Sequence, residues 1–312
     1  MSGAWQSGAR TVAAPRSSSP PVRVALLGLG LIGGSIARAL RQDAAGGWSV
    51  AAWTPRGAGP RDAAAAGVLD LAAGTIEAAV DGAELVVLAA PPGECLALLD
   101  ELAGPVAPFL SPDVVITDVA STKAAIVHQA TTLGLRFVGG HPMAGRETTG
   151  FGAADGDLFR DRPWVLVPVR PDDAAVARVE ALARACGANP FRLDARAHDT
   201  YVAAISHMPL VVSAALVEAV AGTGAEPRGD WAWAEALAAG GWASMTRLAR
   251  GDATMDAGIA ATNAPAIAAR LRDLQAVIDE WLALLEAAEG PDEPALHARF
   301  AAARARLLAG DA

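Results

Sequence analysis

Arg136 to Glu147 reads RFVGGHPMAGRE, and its His141 is one of only five histidines in the chain. Imidazole exchanges a proton near neutral pH, so a histidine mounted on a rigid loop is a candidate acid or base. Phe137-Val138 reads as the end of a short buried strand, and Gly139-Gly140 as a sharp backbone turn. Pro142 biases His141 toward extended geometry. A turn histidine bonded to its own loop would look the same locally. Ser121 and Lys123 follow another expected strand in DVVITDVASTK, and Lys123 is the one lysine in the chain. Arg247 and Arg250 are expected on a helix after a second glycine pair in AAGGWASMTRLARGD. A guanidinium fork suits a carboxylate, although a solvated arginine fits the same pattern. His207 precedes Met208-Pro209 and is either a chemical group or a satisfied core histidine. It lies nine positions after His198, on the opposite side of one expected long helix, so the two cannot share a metal.

The elements that position these residues begin with VRVALLGLGLIGGSIARALRQ. Val22 to Leu27 predicts a buried parallel strand, and Ser35 to Gln42 a helix. Between them stands Gly28-x-Gly30-x-x-Gly33, with Leu31 and Ile32 as intervening residues, in the strand–glycines–helix setting of a dinucleotide fingerprint. Gly28 suits the tight turn, Gly30 the approach of a pyrophosphate, and Gly33 close helix–strand packing. A glycine-rich turn without ligand is the alternative. The next strand, WSVAAWTPRG, ends without the carboxylate that reads a ribose 2′-hydroxyl. Thr54 and Arg56 stand there instead, which leans the reading toward NADP over NAD, unless Arg56 is a solvated turn residue. Further strands are expected at Leu85–Ala89, Val114–Thr117 and Pro163–Val169, with NPFRL as a last edge. His141 and Ser121 are thus expected at strand ends of one parallel sheet, where such folds bind ligands.

From Ala195 onward the pattern turns helical, with one long apolar helix and two amphipathic helices between Ala264 and Leu308 that break at Gly290-Pro291. The fold class expected is α/β, a Rossmann-like doubly wound sheet over 22–190 followed by an all-α unit over 191–312. Residues 1–21, rich in Ser, Ala, Gly and Pro, read as a disordered leader without the apolar run of a secretory signal. The chain has 312 residues, 53% hydrophobic and 19% charged, with net charge -9, which argues against nucleic acid as a partner. No span is expected in a membrane, since each long apolar run holds Gly, Pro or charge. Cys95 and Cys186 stand far apart in apolar surroundings, which suits buried thiols in a reducing cytoplasm and no metal site.

GLGLIGGS, DVASTK, GGHPMAGRE, HDTYVAAISHMP and GGWASMTRLARGD, in that order, resemble the prephenate/arogenate dehydrogenase family of tyrosine biosynthesis. The resemblance spans about Val22 to Asn263. It implies oxidative decarboxylation of prephenate to 4-hydroxyphenylpyruvate, or of arogenate to tyrosine, by a homodimer with NAD(P). It implies His141 as the catalytic histidine and Ser121 as the serine orienting it. It further implies His207 and Arg247 as substrate-carboxylate contacts, and Glu147 as a group governing gating or charge near the site. No metal is implied. Neither a fused mutase before residue 22 nor a regulatory domain after residue 312 is expected. Two positions depart from the family pattern, Ala243 where many relatives carry lysine and Asp256 where some carry tryptophan. Asp256 would favour the amino group of arogenate if it lines the site. A hydroxyacid dehydrogenase on the same plan would use a lysine in the second half, which has none. A dinucleotide sensor without chemistry would not need Ser121, His141 and Arg247 together.

Overall fold

Val22–Leu27 (β1) is aliphatic apart from the exposed Arg23 and fully buried from Val24 on, and it pairs in parallel with both Trp48–Trp53 (β2) and Leu85–Leu88 (β4). The computed structural model describes residues 20–223 and 228–309, so nearly all of the expected leader lies outside the described residues. The remaining strands are Leu71–Ala72 (β3), Val115–Asp118 (β5), Phe137–Pro142 (β6), Pro163–Pro168 (β7) and Asn189–Arg192 (β8). They form one sheet in the order β3-β2-β1-β4-β5-β6-β7-β8. Every pairing is parallel except β6 with β7, which is antiparallel, so the expectation of a wholly parallel sheet is corrected at that pair.

The sheet's helices are Leu31–Gln42 (α1), Ala58–Ala65 (α2), Ile76–Val80 (α3), Pro92–Ala103 (α4), Ala124–Thr132 (α5) and Asp173–Ala185 (α6). Two apolar clusters result. One holds Leu26, Ile36, Leu166 and Val179, and the other Leu27, Leu88, Leu99 and Ile126. Alternate residues of β1 fall in different clusters, as the strand's two-residue period requires, so the sheet is covered on both faces. Strand order reverses between β1 and β4, and Gly28 and Ala89 follow those two strands directly. Such a reversal opens a crevice at the carboxyl ends of the strands.

The chain divides into two units, one running to His198 and taking in Gly251–Gly258, the other comprising Asp199–Arg250 and the residues from Ile259 on. The second unit is helical. Its elements are the end of Ala195–Val202 (α7), then Met208–Ala221 (α8), Trp231–Ala236 (α9), Gly240–Met245 (α10), the end of Ala253–Thr262 (α11), Ala264–Leu285 (α12) and Glu293–Leu308 (α13). The expected long helix is interrupted by a π turn at Ala203–His207. Pro209 has no amide hydrogen to close the preceding turn, and a missing i→i−4 bond is a usual cause of such a bulge. By length and hydropathy Ala195–Ala221 could cross a membrane, yet it carries this break and Pro209 within it.

Candidate active site

Gly28 has φ +110°, and a Cβ on it would fall within the Ala89 carbonyl group. Glycine there is what lets β1 and β4 end side by side. A Cβ on Gly33 would overlap the Gly28 carbonyl, whereas one on Gly30 would meet nothing within 4 Å. Gly30 is also the N-cap of α1 and supplies no side-chain cap, and no acidic residue occupies the first turn. Uncapped amides of Leu31, Ile32 and Gly33, the positive end of a 12-residue helix and open space above Gly30 fit a dinucleotide pyrophosphate. At the end of β2 the Gly57 amide donates to the Thr54 hydroxyl at 3.1 Å, closing the turn that carries the exposed Arg56.

The glycine pair before His141 does not turn the chain. β6 runs straight through Gly139, Gly140 and His141 to Pro142, with His141 opposite Val165 of β7. A Cβ on Gly140 would overlap the Asp118 carbonyl and stand 3.0 Å from Thr117 Oγ1, and one on Gly139 would stand 3.2 Å from Lys123 Cδ. These glycines let β6 lie tight against the end of β5. The fastening is polar. Asp118 accepts from the Gly140 amide at 3.0 Å and from the Ala120 amide at 3.0 Å, and it is ion-paired with Lys123. Both charged side chains are fully buried, so the loop carrying Ser121 is drawn beneath the strand carrying His141. Ser121 itself is half-buried.

His141 is buried, and its Nδ1 lies 2.8 Å from Nε2 of His198 with the rings edge-on at 71°. His198 sits in the first turn of α7, where Asp194 accepts from the Ala197 amide at 2.9 Å and its carbonyl from the His198 amide at 3.0 Å. The chain reaches that turn straight from β8. Sequence reading set His198 aside; its nearness to His141 has no sequence signal because it depends on the β6-β7-β8 order.

Beyond Pro142 the chain passes Glu147, which is exposed, and folds over α1. The Asp155 amide donates to the Ser35 hydroxyl at 2.9 Å, Arg38 lies over the Phe151 ring, and Arg146 pairs with Asp155 at 2.7 Å. A backbone amide bond from Asp157, with Arg146 second, holds the Asp155 carboxyl below its ordinary value. A Cβ on Gly34 would stand 2.8 Å from Ala154 Cβ. The fourth glycine of GLGLIGG thus seats this loop on the dinucleotide helix, a role sequence reading did not assign.

In the helical unit His207 ends the π turn and is buried. The Asn263 amide nitrogen donates to the Asp199 carbonyl at 2.9 Å and lies 3.1 Å from His207 Nδ1. A carbonyl can only accept, which fixes the amide's orientation and makes Nδ1 of His207 the acceptor. Neutral His207 then carries its proton on Nε2, a donor suited to an anion. Arg247 does not lie on a helix as expected. It is exposed between α10 and a 3₁₀ turn at Leu248–Arg250, and the Ala249 amide donates to buried Ser213 of α8 at 3.1 Å. Among the described residues no group of three or more His, Cys, Asp or Glu could hold a metal. Cys95 is buried with its thiol pushed up to about 12, and burial raises that of Cys186.

A glycine turn at the sheet's reversal point, followed by a helical unit, defines a dinucleotide-binding protein of two-domain plan. Comparison narrows this. Residues 36–191 match the nucleotide-binding domain of prephenate dehydrogenase, and residues 194–301 match its dimerization domain. The chain is 32% identical to the prephenate dehydrogenase of Bacillus subtilis, over 83% of this chain and 67% of that one. It is 30% identical to the cyclohexadienyl dehydrogenase of Zymomonas mobilis, over 78% and 82%. A relative from Streptomyces niveus, 36% identical, is spanned over 53% of its length. The Synechocystis arogenate dehydrogenase structure superposes with a TM-score of 0.72 at 30% identity, covering 91% of this chain and 99% of that one. The chain belongs to the prephenate dehydrogenase family, and is an oxidoreductase with a domain for a nicotinamide dinucleotide.

Proposed function

We propose that this protein is a prephenate dehydrogenase, acting as a homodimer, that converts prephenate to 4-hydroxyphenylpyruvate with His141 as the base. The observation that carries the reading is a buried imidazole on β6, in the unit with the dinucleotide turn, whose Nδ1 is already bonded to a neighbour. A nicotinamide dinucleotide held at the Gly28–Gly33 turn would supply the oxidant, as the acceptor of the hydride on the ring carbon that bears the hydroxyl. Nε2 of His141 takes the hydroxyl proton, the ring carboxylate leaves as CO₂, and aromatisation returns a proton to the ring oxygen as the phenol. Imidazole, roughly 6.5 when unperturbed, has the proton affinity this step needs. Ser121, in the loop between Asp118 and Lys123, orients the histidine and the reacting ring; the buried Asp118–Lys123 pair on either side of it supports this reading. His207 and Arg247 hold substrate carboxylates, and orientation supplies much of the rate. Glu147 governs charge at the loop. The exposed Arg56, on a turn with no carboxylate, favours NADP.

Arogenate is the second reading. It is supported by Asp256, a half-buried carboxylate with no cationic side-chain partner among the described residues, suited to an ammonium group. A spectrophotometric assay crossing prephenate and arogenate with NAD and NADP decides substrate and cofactor. His141→Asn should abolish turnover and retain cofactor binding; undiminished turnover rejects the assignment.

A further inference from the structure

The 2.8 Å separation between His141 Nδ1 and His198 Nε2 leaves room for one proton between two nitrogens. One ring donates and the other accepts. If His198 donates, a neutral His141 carries its own proton on Nε2 and can only act as an acid. If His141 donates, its Nε2 has the lone pair. We infer that His198 is the positioning residue of His141, accepting the Nδ1 proton and thereby presenting Nε2 as the base. This rests on the reading of His141 as the base.

Three observations support it. Both rings are buried, so the hydrogen bond is shielded from water. Each ring is held by its own element, His141 by pairing with β7 and His198 by the Asp194-capped turn of α7. Third, the partner is an imidazole, where many catalytic histidines lean on a carboxylate. Prephenate is a dianion, and a carboxylate fixed behind the base would repel it. An imidazole acceptor orients the base without being itself a carboxylate, and it still accepts from the imidazolium once the substrate's proton has arrived. The charged neighbours of the strand, Asp118 and Lys123, are paired with each other, and Asp199 follows His198 directly.

The experiment joins ¹⁵N NMR of the imidazoles with the pH profile of kcat/KM. In the wild-type protein His141 should carry its proton on Nδ1 at neutral pH. His198→Ala should lower kcat roughly ten- to a hundredfold, the usual size for removing a histidine's orienting partner, with KM nearly unchanged. Its acid limb should move to lower pH, because the imidazolium loses its acceptor. His198→Gln places an amide oxygen close to the lost nitrogen and should recover most of the turnover and the limb. An Nε2 proton on neutral His141 overturns the proposal, as does a His198→Ala enzyme with unchanged kcat and profile. Should His198→Ala fail to fold, the wild-type NMR and His198→Gln decide. A wild-type enzyme that oxidises neither cyclohexadienol sinks the functional reading alone, since the tautomer is read without turnover.

Discussion

Asn263 shows how one side chain sets the chemistry of another. Its amide is anchored on the Asp199 carbonyl and turns its second hydrogen to His207, so the proton of that imidazole is displaced to Nε2. Asn263→Asp replaces the donor with an acceptor and draws the proton back to Nδ1. Steady-state kinetics should then show KM for the anionic substrate raised about tenfold, the worth of one charge-assisted hydrogen bond of roughly 1.5 kcal/mol, with kcat changed less. An unchanged KM would remove His207 from carboxylate binding. Asn263 was beyond sequence reading, lying 56 positions from its partner in a helix-boundary context with no motif of its own.

Elements are held in place here by polar fastenings at their ends. The β5–β6 contact depends on the buried Asp118–Lys123 pair, and a charge left alone in such a place is costly. Lys123→Met should therefore destabilise the fold by about 3 to 5 kcal/mol in urea unfolding. A loss below about 1 kcal/mol would mean that water reaches the site. α6 is fastened differently. Asp172 caps it through the Ala175 amide and takes two bonds from Arg136, at the start of β6. Arg136 is the main cause that lowers the Asp172 carboxyl to about 2. A depressed carboxyl stabilises the fold fully above its unfolded value of about 3.9, and the contribution is lost as pH falls toward 2. Asp172→Asn should flatten the acid-unfolding curve between about pH 4 and 2, as read by circular dichroism.

At the scale of the whole molecule, unit 2 leaves large apolar side chains uncovered in a single chain. Ile205, Trp233, Leu237 and Leu307 are each at least 71% exposed, and only 22% of the apolar window in Ala195–Ala221 is buried. Residues 194–301 match a dimerization domain, so a second copy is the expected cover. Sedimentation equilibrium at micromolar concentration should return twice the mass of the chain. A monomer there would contradict the proposed homodimer.

Read alone, the residues were enough for the alternation of strands and helices, the β1 boundaries Val22–Leu27, the glycine turn between β1 and α1 and the break at Gly290-Pro291. These are local matters, set by two-residue and 3.6-residue periods and by where glycine and proline interrupt them. Tertiary structure decided the rest. It made Gly139-Gly140 a place of close strand approach where local rules read a turn, since nothing in the two glycines says that Asp118 lies against them. It reversed β7 against β6, broke the helix before His207, and brought His198 to His141 from 57 positions away. Contacts at that separation follow from strand order, and strand order is a property of the packed sheet that no single segment carries.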